Sequence, residues 1–97
     1  TALVRQRDGR LLLAGWAYSG NSSSGDFAAL RLTAAGTLDP GFAGAGVLLR
    51  PVATGTRNDQ ARALALQPDD RVPTVRAFIA GEANDSNHDM VVMRLWL

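Results

Sequence analysis

Cysteine and lysine are both missing from the 97 residues, histidine occurs once, and aromatic residues make up 6%. Each shortage removes a class of function. Without cysteine there is no disulfide framework, no thiolate metal site and no thiol nucleophile. The one histidine, His88, leaves a histidine zinc site short of ligands, and a hydrolytic triad would need a serine and a carboxylate carried to it. No apolar run approaches the ~20 residues that cross a bilayer as a helix, so no membrane span is expected. The net charge of +1 is spread without a basic stripe or an acidic run. That argues against a nucleic-acid partner and against a charged disordered tail. Gly41, Gly44 and Gly46 lack the lysine and the following helix of a phosphate-cradling loop, so no cofactor is expected.

What remains is a chain that is 46% apolar. At this length roughly 60–65% of the unfolded surface is buried, enough for one modest core. All ten basic residues are arginine. Arginine suits planar, hydrogen-bonded pairing, and biased codon use is the plain alternative. The chain opens in Thr1-Ala2-Leu3-Val4, which reads as a strand, with no initiator methionine and no signal-peptide pattern. It is expected to be part of a longer protein.

One unit is written nearly twice. Ala2-Leu3-Val4-Arg5-Gln6-Arg7-Asp8-Gly9-Arg10 lies beside Ala63-Leu64-Ala65-Leu66-Gln67-Pro68-Asp69-Asp70-Arg71. Leu13-Ala14-Gly15 lies beside Ile79-Ala80-Gly81, and Asp26-Phe27-Ala28-Ala29-Leu30-Arg31-Leu32 beside Asp89-Met90-Val91-Val92-Met93-Arg94-Leu95. The blocks keep their order at an offset of about 60 residues.

The blocks read as strands. Leu3 to Gln6 is short and apolar, and Asp8-Gly9 predicts a two-residue hairpin turn of the primed type. Leu11 to Tyr18 is almost continuously apolar, which suits a strand covered on both faces. Gly15 inside it points to a bulge or a close backbone approach. Asn21 to Gly25 is a polar loop, Phe27 to Leu32 a third strand, and Ala35-Gly36 a turn. The glycines around Phe42 mark a tight connection to a fourth strand, Val47 to Leu49, which Pro51 closes. A loop from Thr54 to Asp59 leads into the second copy. Four short strands joined by short turns form an antiparallel meander, the plan of a propeller blade.

These motifs resemble the delta-60 repeat, a family of bacterial repeat proteins. In the first copy the resemblance rests on Gln6-Arg7-Asp8-Gly9-Arg10, Ala14-Gly15, Asp26-Phe27 with Arg31, and Ala35-Gly36-Thr37-Leu38-Asp39-Pro40-Gly41-Phe42. In the second it rests on Gln67-Pro68-Asp69-Asp70-Arg71, Ala80-Gly81, and Asp89-Met90 with Arg94. It implies a propeller-like fold and an exported or cell-surface protein of several copies, and it implies no catalytic residues. The second copy departs from the pattern. Asp70 stands where glycine belongs, and Val72 to Arg76 is an insertion whose Pro73 is excluded from a central strand. A longer, distorted hairpin is expected there, and no fourth strand follows before Leu97.

Several residues carry two readings. Arg31 shares a strand face with Phe27 and Ala29, and Arg94 with Met90 and Val92. An arginine on an apolar face needs a partner. The candidates are the turn carboxylates Asp8 and Asp69, and Asp39 for the first copy. An internal pair that ties strand to turn is favoured over a ligand site, because packing must recur in every unit. Asp85 to Asp89 has the oxygen alternation of a calcium loop. However, Met90 stands in place of the turn glycine and Trp96 in place of the bidentate glutamate, so a polar loop explains it as well. Trp16, Tyr18 and Trp96 read as core or inter-blade packing, with a sugar-stacking platform as the alternative. Asn21-Ser22-Ser23 and Asn84-Asp85-Ser86 fit the glycosylation acceptor pattern.

The expectation is an all-β chain of about seven strands in antiparallel four-stranded meanders resembling propeller blades. Residues 1–61 form the first repeat, and 62–97 a second, incomplete one with an insertion at 72–76. No catalytic, cofactor or metal residue is assigned. The expected role is a non-catalytic scaffold or interaction segment. Its partners are neighbouring repeats, or further copies through open strand edges. A carbohydrate or surface-ligand module is the alternative, and an enzyme active only in a complete propeller ranks last.

Overall fold

Burial alternates along the strands with the period of two that strand geometry imposes, and it decides which face of each sheet meets the core. The computed structural model describes residues 1–18, 25–50, 58–67, 76–84 and 88–97. Seven strands follow in order: β1 Ala2–Arg5, β2 Leu11–Tyr18, β3 Gly25–Leu32, β4 Val47–Arg50, β5 Asn58–Gln67, β6 Arg76–Asn84 and β7 His88–Trp96. Strands β1 to β4 form one antiparallel meander and β5 to β7 another. No helix occurs among the described residues. The chain is all-β, with propeller-like stacking of two blades.

The two sheets are built on one register. Leu3 pairs with Leu13, and Leu64 with Ile79. Leu13 pairs with Leu30, and Ile79 with Met93; Leu12 pairs with Arg31, and Phe78 with Arg94. Each pair in the first sheet maps onto the pair that the repeated blocks specify in the second. The repetition in sequence is therefore a repetition in hydrogen bonding.

Each sheet has a front face, which carries the arginine position, and a back face. The first sheet's front face holds Leu12, Ala14, Phe27 and Ala29, all nearly fully buried. It packs on the back face of the second sheet, where Ala61, Ala77 and Ile79 complete the core. Strand β5 lies against β1, β2 and β3 and forms the seam. Phe42, from the β3–β4 connection, plugs one end of this core.

The structure corrects four expectations. Strand β2 is covered on one face only, because its back-face residues Leu11 and Leu13 remain half-buried. The Asp8-Gly9 turn is a three-residue loop rather than a two-residue one. The Gly9 N–H donates to the Gln6 carbonyl at 3.0 Å and the Gln6 N–H to the Arg10 carbonyl at 2.8 Å. Within the loop only its last residue, Gly9, has positive φ, at 92°, as in a three-residue hairpin with glycine in the left-handed position. Gly15 makes no bulge, since β2 and β3 pair without a shift through it. The irregularity falls in the second sheet, at Arg62 between Ala61 and Ala63, opposite the equivalent Gly81. Finally, Asn58 and Asp59 begin β5, where a loop was expected. Residues 72–75 of the expected insertion, with Asp69 and Asp70, lie outside the described residues, whereas Arg76, its last residue, instead begins β6 and pairs with Gln67 and Trp96.

Candidate functional site

The densest polar cluster forms where β3 ends. The chain turns at Thr33–Thr37, with the Thr33 N–H donating to the Thr37 carbonyl at 2.7 Å, and then runs back beside β3. The Asp39 N–H donates to the Arg31 carbonyl at 2.9 Å, and the Arg31 N–H to the Gly46 carbonyl at 3.0 Å. This returning segment places the Asp39 carboxylate against the Arg31 side chain. Arg31 Nε lies 2.8 Å from Asp39 Oδ2, with side-chain exposures of 5% and 8%. The Nε–H is off-line for a hydrogen bond, so the attraction is mainly Coulombic. Arg10 Nε, from the first hairpin, reaches the same oxygen at 3.1 Å.

The other carboxylate oxygen, Oδ1, accepts the Gly41 N–H at 3.0 Å. A Cβ on Gly41 would fall 3.2 Å from that oxygen and 3.4 Å from Arg31 Nη2, so glycine lets the turn close. The Arg31 guanidinium also stands 5.3 Å from the centre of the Phe42 ring. The Gly41 hydrogen bond, followed by the charges of Arg31 and Arg10, holds the Asp39 carboxyl below the ordinary range despite the opposing effect of burial. The cluster ties the first hairpin, the end of β3 and the β3–β4 connection into one joint.

Asp39 is thus the partner of Arg31. Asp8, the other candidate, instead pairs with Arg10 at 3.4 Å and accepts its backbone N–H at 3.0 Å. The residue that sequence reasoning missed is Arg10. Its place directly after Asp8-Gly9 in the hairpin motif was the available signal.

Arg94 holds the same register position as Arg31 and a different environment. It is exposed, and its face neighbours Met90 and Val92 are 94% and 67% exposed. Its guanidinium stands 5.8 Å from the Trp96 ring centre, and that of Arg76 stands 4.3 Å from the same ring. Among the described residues no carboxylate pairs with Arg94. Asp69 lies outside the described residues. The expectation that the two arginines share one packed role is corrected: the first sheet's front face is covered and the second's is open.

Of the two packing roles expected for the large aromatics, the core is corrected. Trp16, Tyr18 and Trp96 are 40%, 61% and 59% exposed, not core. The calcium-loop candidates Asp85 to Asn87 lie outside the described residues, and Asp89 is an exposed strand residue. His88 opens β7. No group of three metal-ligating side chains occurs among the described residues. No helix among them is long and apolar enough to cross a membrane.

Two hollows accompany these features. One, of about 260 Å³, lies on the first sheet over Leu13, Gly15, Ala17, Ala28, Leu30 and Val47. The other, of about 460 Å³, lies between Phe42, Leu48 and Arg50 on one side and Met93 to Trp96 on the other. The second borders β7, whose outer edge has no paired strand among the described residues, whereas β4 covers the equivalent edge of β3.

Comparison with known proteins fits this architecture. No curated protein matches the chain, and no solved structure does. Residues 6–42 match the model of a "Domain of unknown function (DUF5122) beta-propeller". That span runs from the first hairpin turn through β2 and β3 to Phe42 and contains Arg10, Arg31 and Asp39. Over this span the chain is similar to a β-propeller repeat family whose function is unassigned.

Proposed function

We propose that the chain is a non-catalytic β-repeat scaffold or interaction segment of a larger bacterial protein, exported or held at the cell surface, and that its repeat is of the delta-60 type. The observation that carries this reading is the fate of the recurrent arginine. In the covered sheet Arg31 is consumed by Asp39 and packed on Phe42, with its side chain only 5% exposed. In the first unit this pair ties the third strand to the connection behind it, whereas the equivalent Arg94 is exposed and makes no such tie among the described residues. The unpaired edge of β7 and the two open sheet faces are then the surfaces available to neighbouring repeats, further copies or protein ligands.

The test is Arg31→Met in the full chain, followed by urea unfolding. A clear fall in midpoint is expected. Unchanged stability together with loss of binding to a surface ligand would overturn the reading.

A carbohydrate-binding role is favoured by one observation, the exposure of Trp96 with Arg76 and Arg94 beside its ring. An exposed indole beside hydrogen-bond donors can stack on a sugar ring. Retention on a glycan array that disappears in Trp96→Ala would promote this reading over the scaffold. An enzyme completed only in a full propeller ranks behind both.

A further inference from the structure

The internal joint between the sheets is a template for a second joint. Phe27, on the first sheet's front face, points into the second sheet's back face at Gly81. A Cβ on Gly81 would fall 2.8 Å from Phe27 Cζ and would also press into the Gln60 carbonyl and Ala61 of the adjacent strand. The glycine therefore makes room for the ring as well as for the irregularity in β5. The shared register maps Phe27 onto Met90 and Gly81 onto Gly15, because Trp16 pairs with Phe27 as Glu82 does with Met90, and Gly15 with Ala28 as Gly81 does with Val91. Among the described residues neither equivalent is used in this way. Met90 is 94% exposed. Gly15 has only the Thr1 side chain near its missing Cβ, at 3.6 Å, and the apolar hollow of about 260 Å³ lies over it.

Both open faces carry exposed apolar side chains. Val92 at 67% and Trp96 at 59% share the face of Met90, together with Glu82 and Arg94, while Leu3 at 57% and Val47 at 42% stand on the back face that carries Gly15. Patches of this kind mark association surfaces. Each chain therefore carries both halves of a joint that its own fold demonstrates.

We propose that the front face of the second sheet docks on the back face of the first sheet of a second copy of this chain, with Met90 seated over Gly15. This names the partner of the scaffold reading and rests on it. The contact is head to tail, so it propagates until the rotation closes. Methionine is suited to the seat, because an unbranched thioether fills irregular gaps.

The absence of cysteine makes the test clean. Chains carrying Met90→Cys are mixed with mass-tagged chains carrying Gly15→Cys under mild oxidation. The mixed disulfide is expected to dominate over either like pair. Sedimentation velocity across a hundredfold range of concentration is expected to show association, weakened about tenfold or more by Met90→Asp with an unchanged circular-dichroism spectrum. A wild-type chain that stays monomeric throughout, or a disulfide between two Met90→Cys chains as the main product, would overturn the docking. Either result leaves the scaffold reading standing, because that reading is decided by the Arg31→Met and glycan measurements.

Discussion

Asp39 accepts contacts from three separate parts of the first unit: the Gly41 N–H, the Arg31 guanidinium from β3 and the Arg10 guanidinium from the hairpin. Its carboxyl is held below the ordinary value of about 3.9, first by the Gly41 hydrogen bond and then by the two cations. A carboxyl depressed in the folded state gives stability that is fully present above its unfolded value. That stability is lost as pH falls through the lower folded value. Asp39→Asn keeps an oxygen for Gly41 and removes the charge, so it mimics the acid form at every pH. The gap in urea midpoint between wild type and Asp39→Asn should be widest at pH 5–7 and narrow as pH falls below the ordinary carboxyl value. A gap independent of pH would mean that the charge is irrelevant and that only the turn geometry matters. Removal of Arg31 alone should cost more than the joint change Arg31→Met with Asp39→Leu, since the single change leaves a nearly buried carboxylate with one cation fewer. Urea melts of the three variants measure this order.

At the scale of elements, equivalent strands acquire unequal duties from the order in which the sheets stack. Gly15 and Gly81 occupy the same register position in β2 and β6. Gly81→Ala would press a methyl into the Gln60 carbonyl and the Phe27 ring and should destabilise by about 1–3 kcal/mol. Gly15→Ala meets only ordinary contact with Thr1 and should lie between neutral and about 1 kcal/mol more stable in dilute monomer. Equal losses at both sites in chemical denaturation would contradict the stacking order. The same asymmetry marks the limit of what residues reveal before folding. The apolar runs bounded by turns, β1 to β4, and their repeats in β6 and β7 were legible, as was the pairing of Arg31 with a carboxylate. The start of β5 was not, because Asn58-Asp59-Gln60 has the polarity of a loop and becomes strand only by pairing with Glu82 to Asn84. Asp59, at 1% exposure, shows how far tertiary context overrides local character. The exposure of Arg94, Met90 and Trp96 was illegible for a related reason. Nothing local separates them from Arg31 and its buried neighbours, and the difference lies in which face finds a second sheet.

At the scale of the molecule, the two sheets do not have a core each. The largest fully buried apolar side chains are Phe27 and Leu12 from the first sheet and Ile79 from the second, and all three belong to one cluster. Each sheet alone would present one apolar face to water, and a three- or four-stranded sheet gains independent stability only by covering such a face. Folding of either unit should therefore depend on the other. Ile79→Ala removes buried atoms from β6 and leaves a space bounded partly by the opposite sheet, so a cost of about 2–5 kcal/mol is expected. The more telling quantity is where amide protection falls. If the core is shared, hydrogen exchange in this variant should accelerate in β2 and β3 as much as in β5 and β6, although the substitution touches only the second sheet's own sequence. Faster exchange confined to β5, β6 and β7 would show two units that fold separately and merely touch. A common loss across both sheets would make the packed pair, rather than the single repeat, the smallest unit that holds its structure.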